Sequence, residues 1–201
     1  MSRTGFRPVT YGLDASMARF SLARYQRMIE VGILDRNDHV ELLEGYVVLK
    51  MPRDPSHDGT IDLVNAGVRP LIPAGWIMRV QQSIAFDESQ PEPDFAIVRG
   101  NPRSFLTRHP APSDVGLIVE VANTSLMRDM RDKARIYASA GIPTYWVINV
   151  TDRVVEVFTQ PSGPTISPTY SNQQTLNAND TIVFVLDGTL VASLPVADLL
   201  A

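Results

Sequence analysis

The sequence predicts an α/β fold, a central mixed sheet of about five or six strands with helices packed on it. Three observations carry that prediction. The run Leu117-Ile118-Val119-Glu120-Val121 is apolar on both faces apart from one glutamate, as a largely buried strand requires. A helical period follows from Ser125 to Ala140. Two further strand-like runs, Tyr145 to Val150 and Arg153 to Thr159, then pair around the turn at Thr151-Asp152.

The remaining elements follow in order. Met1 to Asp14 is a polar arm, and Ser16 to Val31 is an imperfectly amphipathic helix stopped by Gly32. This N-terminal helix is expected to pack against the sheet, covering one of its edges. Val40 to Leu49 reads as a hairpin bending near Gly45, with Glu41 and Leu43 on one face and Leu42 and Glu44 on the other. Met51 to Gly59 reads as a loop holding His57, and Ile61, Val64, Val68 and Leu71 mark a helix after it. Trp76 to Phe86 is a strand interrupted by Gln81 and Gln82. Pro91 and Pro93 enforce an extended entry to a short strand from Asp94 to Val98. Arg99 to Ser113 is a loop with scattered arginines. Gln160 to Asn172 is a loop with three prolines, and Thr181 to Val185 with Thr189 to Val191 make a last hairpin that extends the sheet or serves an oligomer contact. Val196 to Leu200 closes the chain.

With 201 residues the chain suits a single domain burying about two-thirds of its unfolded surface. It divides into an N-terminal arm and helix (1–35), a core (36–160) and a C-terminal β extension (161–201). The absence of cysteine removes disulfide and thiolate–metal chemistry and suits a reducing cytoplasm. No apolar run approaches the about 20 residues of a membrane helix, so a soluble cytoplasmic protein with no membrane partner is expected. A net charge of −4 argues against a constitutive nucleic-acid coat, although what counts at a cleft is local potential.

The chemistry concentrates around Glu120. A lone buried carboxylate is costly unless paired. The following helix, capped by Ser125 and stopped by Gly141 and Pro143, supplies a partner. At about 100° per residue Leu126, Met130, Lys133, Tyr137 and Ala140 share one stripe, while Arg128, Arg131, Asp132 and Arg135 point away. Lys133 thus sits in the face that buries itself. Asp94 opens a neighbouring strand. Two carboxylates and an inward ammonium suit a hard divalent metal, Mg²⁺ or Mn²⁺, and an anionic substrate. The plainer alternative is a structural Glu120–Lys133 ion pair.

These residues also carry a resemblance. Pro93-Asp94, Glu120-Val121 with Thr124-Ser125, then Asp129, Lys133, Tyr137, Gly141 and Tyr145-Trp146 resemble the Uma-two family of restriction endonuclease-like proteins, within the PD-(D/E)XK nuclease superfamily. Gly32-Ile33-Leu34, Val40 to Gly45 and Pro55-Ser56-His57 are similar to that family's upstream signature. Ala122 stands where the superfamily's usual lysine would be. The resemblance implies that the lysine has moved to Lys133.

It further implies a restriction-endonuclease-like fold, a DNA substrate and a homodimer. Asp94, Glu120 and the carbonyl of Val121 would be metal ligands, and Lys133 would hold the attacking water or stabilise pentavalent charge. Glu41, favoured over Glu44 by the family motif, would bind a second metal or orient water. Asp129 would pair with Lys133, and His57 would act as a base near the metal or as a phosphate contact. Arg99, Arg103 and Arg128 are candidate DNA contacts. Two other classes compete: a non-catalytic nucleic-acid- or protein-binding domain of the same fold, and a glycosidase using Glu120 with Asp94 or Glu41.

Overall fold

The computed structural model describes residues 17–201, so the expected arm over Met1 to Asp14 lies outside the described residues, as does Ser16. Helix α1 (Leu22–Glu30) starts where the Ser21 hydroxyl accepts a hydrogen bond from the Arg24 N–H. Gly32, with φ of +73°, ends the helix as expected. The strands β1 (Val40–Leu43) and β2 (Tyr46–Leu49) form a two-stranded sheet of their own. α1 packs on this hairpin and not on the edge of the central sheet. Its Tyr25 is buried with Leu34 and Leu42, so its apolar face is used up on this hairpin.

Helix α2 (Pro55–Val68) begins earlier than the sequence pattern suggested, and His57 lies in its first turn rather than in a loop. Asp54 caps it by accepting from the His57 N–H at 2.9 Å, and Pro55 occupies a first-turn position that needs no donor.

Six strands then build the central sheet: β3 (Trp76–Val80), β4 (Phe95–Arg99), β5 (Val115–Ala122), β6 (Thr144–Asn149), β7 (Val154–Pro161) and β8 (Tyr170–Asn177). They lie side by side in that order, with β5 and β6 parallel and every other pair antiparallel. The parallel pair requires a crossover, supplied by a helix over 126–139 that contains a π-helical stretch, Arg128–Lys133, and then α3 (Ala134–Ser139). Strand β3 ends at Val80 because Gln81 adopts a left-handed φ of +51°. Tyr170 to Asn177 continues the sheet as an edge strand, where a loop and extension were expected.

Both faces of the sheet are covered. On one, Phe95, Ile97, Leu117, Val119, Val121, Trp146 and Ile148 pack under α2 and the C-terminal elements. Those elements are the hairpin of β9 (Thr181–Leu186) and β10 (Thr189–Pro195) and a short turn of helix, Val196–Leu199. The hairpin does not extend the sheet. Ile182, Phe184 and Leu194 point it flat onto the core. On the other face Ala96, Val98, Ile118, Ala122, Tyr145 and Val147 meet Ile136, Tyr137 and Ile142. Every residue of β5 is therefore buried, and its period of two turns Glu120 with Ile118 and Ala122 toward the crossover helix.

Gly116 in β5 has no room for a side chain. A Cβ there would stand 2.7 Å from Leu186 Cδ2 and 2.7 Å from Trp76 Cζ3. Gly116→Ala is expected to lower stability by about 1–3 kcal/mol through overpacking, read as a shifted urea midpoint. An unchanged midpoint would contradict the packing described.

Candidate metal centre

The end of β5 nearest α2 brings the acidic residues together. Strand β4 pairs with β5 only as far as Phe95 opposite Val119, so the backbone of Val121 lies beyond the ladder. The carboxylate of Asp94, one residue before β4, takes its place: Oδ2 accepts from the Val121 N–H at 2.9 Å. In a strand the N–H and C=O of one residue leave on the same side, so the Val121 carbonyl shares the Asp94 edge. Oδ1 of Asp94 accepts from Gln81 Nε2 at 3.3 Å, and His57 Nε2 stands 3.4 Å from Oδ2.

Beneath Asp94 lies a charged cluster buried in the interior. Glu41, Glu120, Asp129 and Lys133 are 2%, 4%, 2% and 6% exposed, which makes unpaired charge untenable at each. Lys133 Nζ is 2.9 Å from Glu120 Oε1, 3.5 Å from Glu41 Oε1 and 3.8 Å from Asp129 Oδ1. The Tyr137 hydroxyl donates to the same Glu120 oxygen at 2.8 Å, and the Glu92 N–H donates to Glu41 Oε2 at 3.1 Å. The Tyr145 hydroxyl donates to the Asp129 carbonyl at 3.2 Å, which pins the π-helical stretch to β6. Both donors to Glu120 use Oε1. Among the described residues Oε2 accepts no hydrogen bond from the protein.

Three carboxylates thus share one ammonium. Burial pushes the Glu120 carboxyl up; Lys133 opposes that and the neighbouring acids reinforce it, leaving it at about 8. Asp129 is raised for the same reasons. Burial would lower the Lys133 ammonium, but Glu120, Glu41 and Asp129 hold it well above its ordinary value. Burial also works against Asp94 ionising, yet His57, the Val121 N–H and Lys133 together keep its carboxyl below the usual range. The contact with Asp94 raises the His57 imidazole despite its burial.

A pH dependence follows. Glu120 binds a proton more tightly folded than unfolded, so its contribution to stability falls as pH rises from about 4.5 toward about 8, and the raised Asp129 acts in the same direction. The raised His57 adds stability that is lost as pH rises through its folded value. The lowered Asp94 matters only in acid, and the raised Lys133 holds its charge across this window. The melting temperature of the metal-free protein is therefore expected to drop between about pH 5.5 and 8. A flat or rising profile in thermal denaturation would contradict the arrangement.

The site opens into a cleft of about 70 Å³ lined by Glu41, Asp94, Glu120, Val121, Asp129 and Lys133, with Lys50, Arg53, His57, Gln81 and Arg128 around them. Of the residues singled out from sequence, Asp94, Glu120, Lys133, Glu41, Asp129 and His57 meet here, and Arg128 leans over the edge. Arg128 does not point away as a regular helix would have it, because it stands at the start of the π-helical stretch, and its Nη1 donates to the Leu49 carbonyl at 2.7 Å. Glu44 sits past the end of β1 and pairs with Arg135, so it is no part of the cleft. Arg99 pairs with Asp187 and stacks on Trp76 at the other end of β4, and Arg103 is exposed beyond it; neither lines the cleft. Sequence reasoning missed Arg53, Gln81 as a partner of Asp94, and the Tyr137 hydroxyl bond.

A family model named Uma2, described as "Putative restriction endonuclease", matches residues 22–195. The chain belongs to the Uma2 family. The Uma2 match spans the whole cluster, from Glu41 to Tyr145. Among solved structures, one described as "a putative nuclease belonging to DUF820" from Anabaena variabilis shares the fold with a TM-score of 0.62 at 15% identity, covering 90% of this chain and 97% of that one. No curated protein matches the chain.

Proposed function

We propose that this Uma2 protein is a divalent-metal-dependent DNA endonuclease that hydrolyses phosphodiester bonds at Asp94, Glu120 and Lys133. The observation that carries the reading is the buried lysine 2.9 Å from Glu120 within a surplus of carboxylates that opens to a cleft. An acid excess around one ammonium suits a further cation. Its family and its fold support the nuclease class.

The donor set fits Mg²⁺ or Mn²⁺. Among the described residues no three Asp, Glu or His side chains form an all-protein metal cage. Mg²⁺ does not require one, since it keeps several waters and uses one or two carboxylates plus substrate phosphate. Asp94, Glu120 and the Val121 carbonyl would hold the ion, which when bound lowers the pKa of a water and neutralises phosphate charge.

The protein's own groups do the positioning. Lys133 stays protonated among its carboxylates and offers N–H donors where negative charge grows on the phosphoryl group. Asp129, one turn before it, and Glu41, from the hairpin, fix its ammonium from two sides. Tyr137 holds Glu120 by one oxygen and leaves the other toward the cleft. His57 keeps Asp94 ionised and oriented. Cutting both strands of a duplex calls for two such sites, hence a homodimer. A reducing cytoplasm suits the cysteine-free chain, and among the described residues no helix is long and apolar enough to cross a membrane.

The competing reading is a non-catalytic binding domain in which the cluster is only a structural ion pair, and the lack of a three-residue cage favours it. Supercoiled plasmid incubated with the protein in Mg²⁺, Mn²⁺ or EDTA separates the two. The nuclease nicks in metal and not in EDTA. The binding domain retains DNA and cuts in neither.

A further inference from the structure

We infer that Arg53 and Arg128 clamp the backbone of one DNA strand at the mouth of the cleft, each on a phosphate, and that Gln81 is the residue that positions Arg53. The ligand class rests on the nuclease reading; the geometry does not.

Four long cationic side chains line the cleft: Lys50, Arg53, Arg128 and Lys133. Two of them are already neutralised. Lys133 lies among three carboxylates, and Lys50 pairs with Glu92. Arg53 and Arg128 are anchored differently. Arg53 Nη1 donates to Gln81 Oε1 at 2.7 Å. Arg128 Nη1 donates to the Leu49 carbonyl at 2.7 Å, and its Nη2 lies 3.9 Å from Met51 Sδ. Both anchors are neutral, so each guanidinium is fixed in place with its charge uncompensated by any ion pair among the described residues. Arg99, Arg108, Arg131 and Arg135, by contrast, each face a carboxylate.

A guanidinium has five N–H donors in a planar fork that matches a phosphate. The one anchoring bond of Arg53 leaves it four donors for a ligand, and the two contacts of Arg128 leave it three. Arg53 stands in the segment that leads into α2, and Arg128, in the crossover helix, is anchored on Leu49 and Met51 of that same segment. Both charges therefore reach the cleft that Asp94 and Glu120 line.

Gln81 ties this arrangement to the metal ligands. Its N–H donates to the Asp94 carbonyl at 2.9 Å, its Nε2 to Asp94 Oδ1 at 3.3 Å, and its Oε1 accepts from Arg53. One amide side chain thus sets the offset between Arg53 and Asp94. Its backbone is left-handed, a conformation that non-glycine residues hold only where the surroundings impose it.

The test is the salt dependence of binding to a fluorescent DNA duplex in EDTA, where nothing is cut. Each phosphate contact adds about 0.9 to the slope of log K against log salt. Arg53→Gln is expected to lower the slope by about one contact, and Arg53→Lys to retain it. Gln81→Glu gives Arg53 a carboxylate partner, so it is expected to lower the slope in the wild-type background and have little effect in Arg53→Gln. Folding of each variant is checked by circular dichroism. An unchanged slope in Arg53→Gln, additive effects of the two changes, or no duplex binding by the wild type would overturn the inference. Metal-dependent nicking with an unchanged Arg53→Gln slope sinks the clamp alone, whereas a lost slope without nicking sinks the catalytic reading alone.

Discussion

Lys133→Met is expected to remove cleavage by about 10²–10³-fold and to destabilise the metal-free protein by about 3–5 kcal/mol. Methionine fills a similar volume but withdraws the ammonium that pairs with Glu120, Glu41 and Asp129. Among the described residues Glu120 then keeps a single donor, the Tyr137 hydroxyl. The stranded carboxylates relieve themselves by binding protons, so the loss should be larger at pH 8 than at pH 5.5 or so. Urea denaturation at the two pH values reads this directly. Equal stability of variant and wild type at high pH would mean that the cluster is not the dry, acid-rich site described.

Glu120→Gln should act in the opposite direction on stability and in the same direction on activity. The folded state prefers Glu120 protonated, because burial and its acidic neighbours outweigh Lys133. Glutamine imitates that neutral form and keeps an oxygen for Lys133 and Tyr137. Metal-free Glu120→Gln is therefore expected to be as stable as wild type near pH 5 and more stable near pH 8. Cleavage should fall by at least about a hundredfold, since a metal ligand and its several kcal/mol of charge stabilisation are gone. A variant that loses stability at pH 8 while retaining nicking would refute both the electrostatics and the ligand assignment. A purely structural ion pair predicts that Lys133→Met and Glu120→Gln both destabilise.

The sequence reveals the centre of this fold better than its margins. The run around Glu120 could only be a strand covered on both faces, and the helical stripe placed Lys133 inward without knowledge of the π-helical stretch. The same stripe misplaced Arg128, because a regular 100° step cannot show where a helix widens. Strand β8 escaped because Tyr170 to Asn177 is almost wholly polar and lies at a sheet edge, where burial imposes no alternation. His57 reads as a loop residue because the proline-rich sequence hides the Asp54-Pro55 start of α2. The partners of Glu44 and Arg99 are distant in sequence, and only tertiary pairing with Arg135 and Asp187 removes them from the cleft. Arg53 carries no local signal, and Gln81 shows in the sequence only as a break in an apolar run. Their significance comes from a tertiary chain of contacts, Arg53 to Gln81 and Gln81 to Asp94, across three separate segments.

Metal binding itself tests the central claim most directly. Mn²⁺ titrated into the wild type, Asp94→Asn and Glu120→Gln by calorimetry should give a saturable heat for the wild type alone. Near neutral pH, buffers of different ionisation enthalpy should reveal proton release, because the raised Glu120 gives up its proton on ligation. No heat with the wild type, or the same heat with both variants, would contradict the metal centre and leave Glu120 and Lys133 as a structural pair.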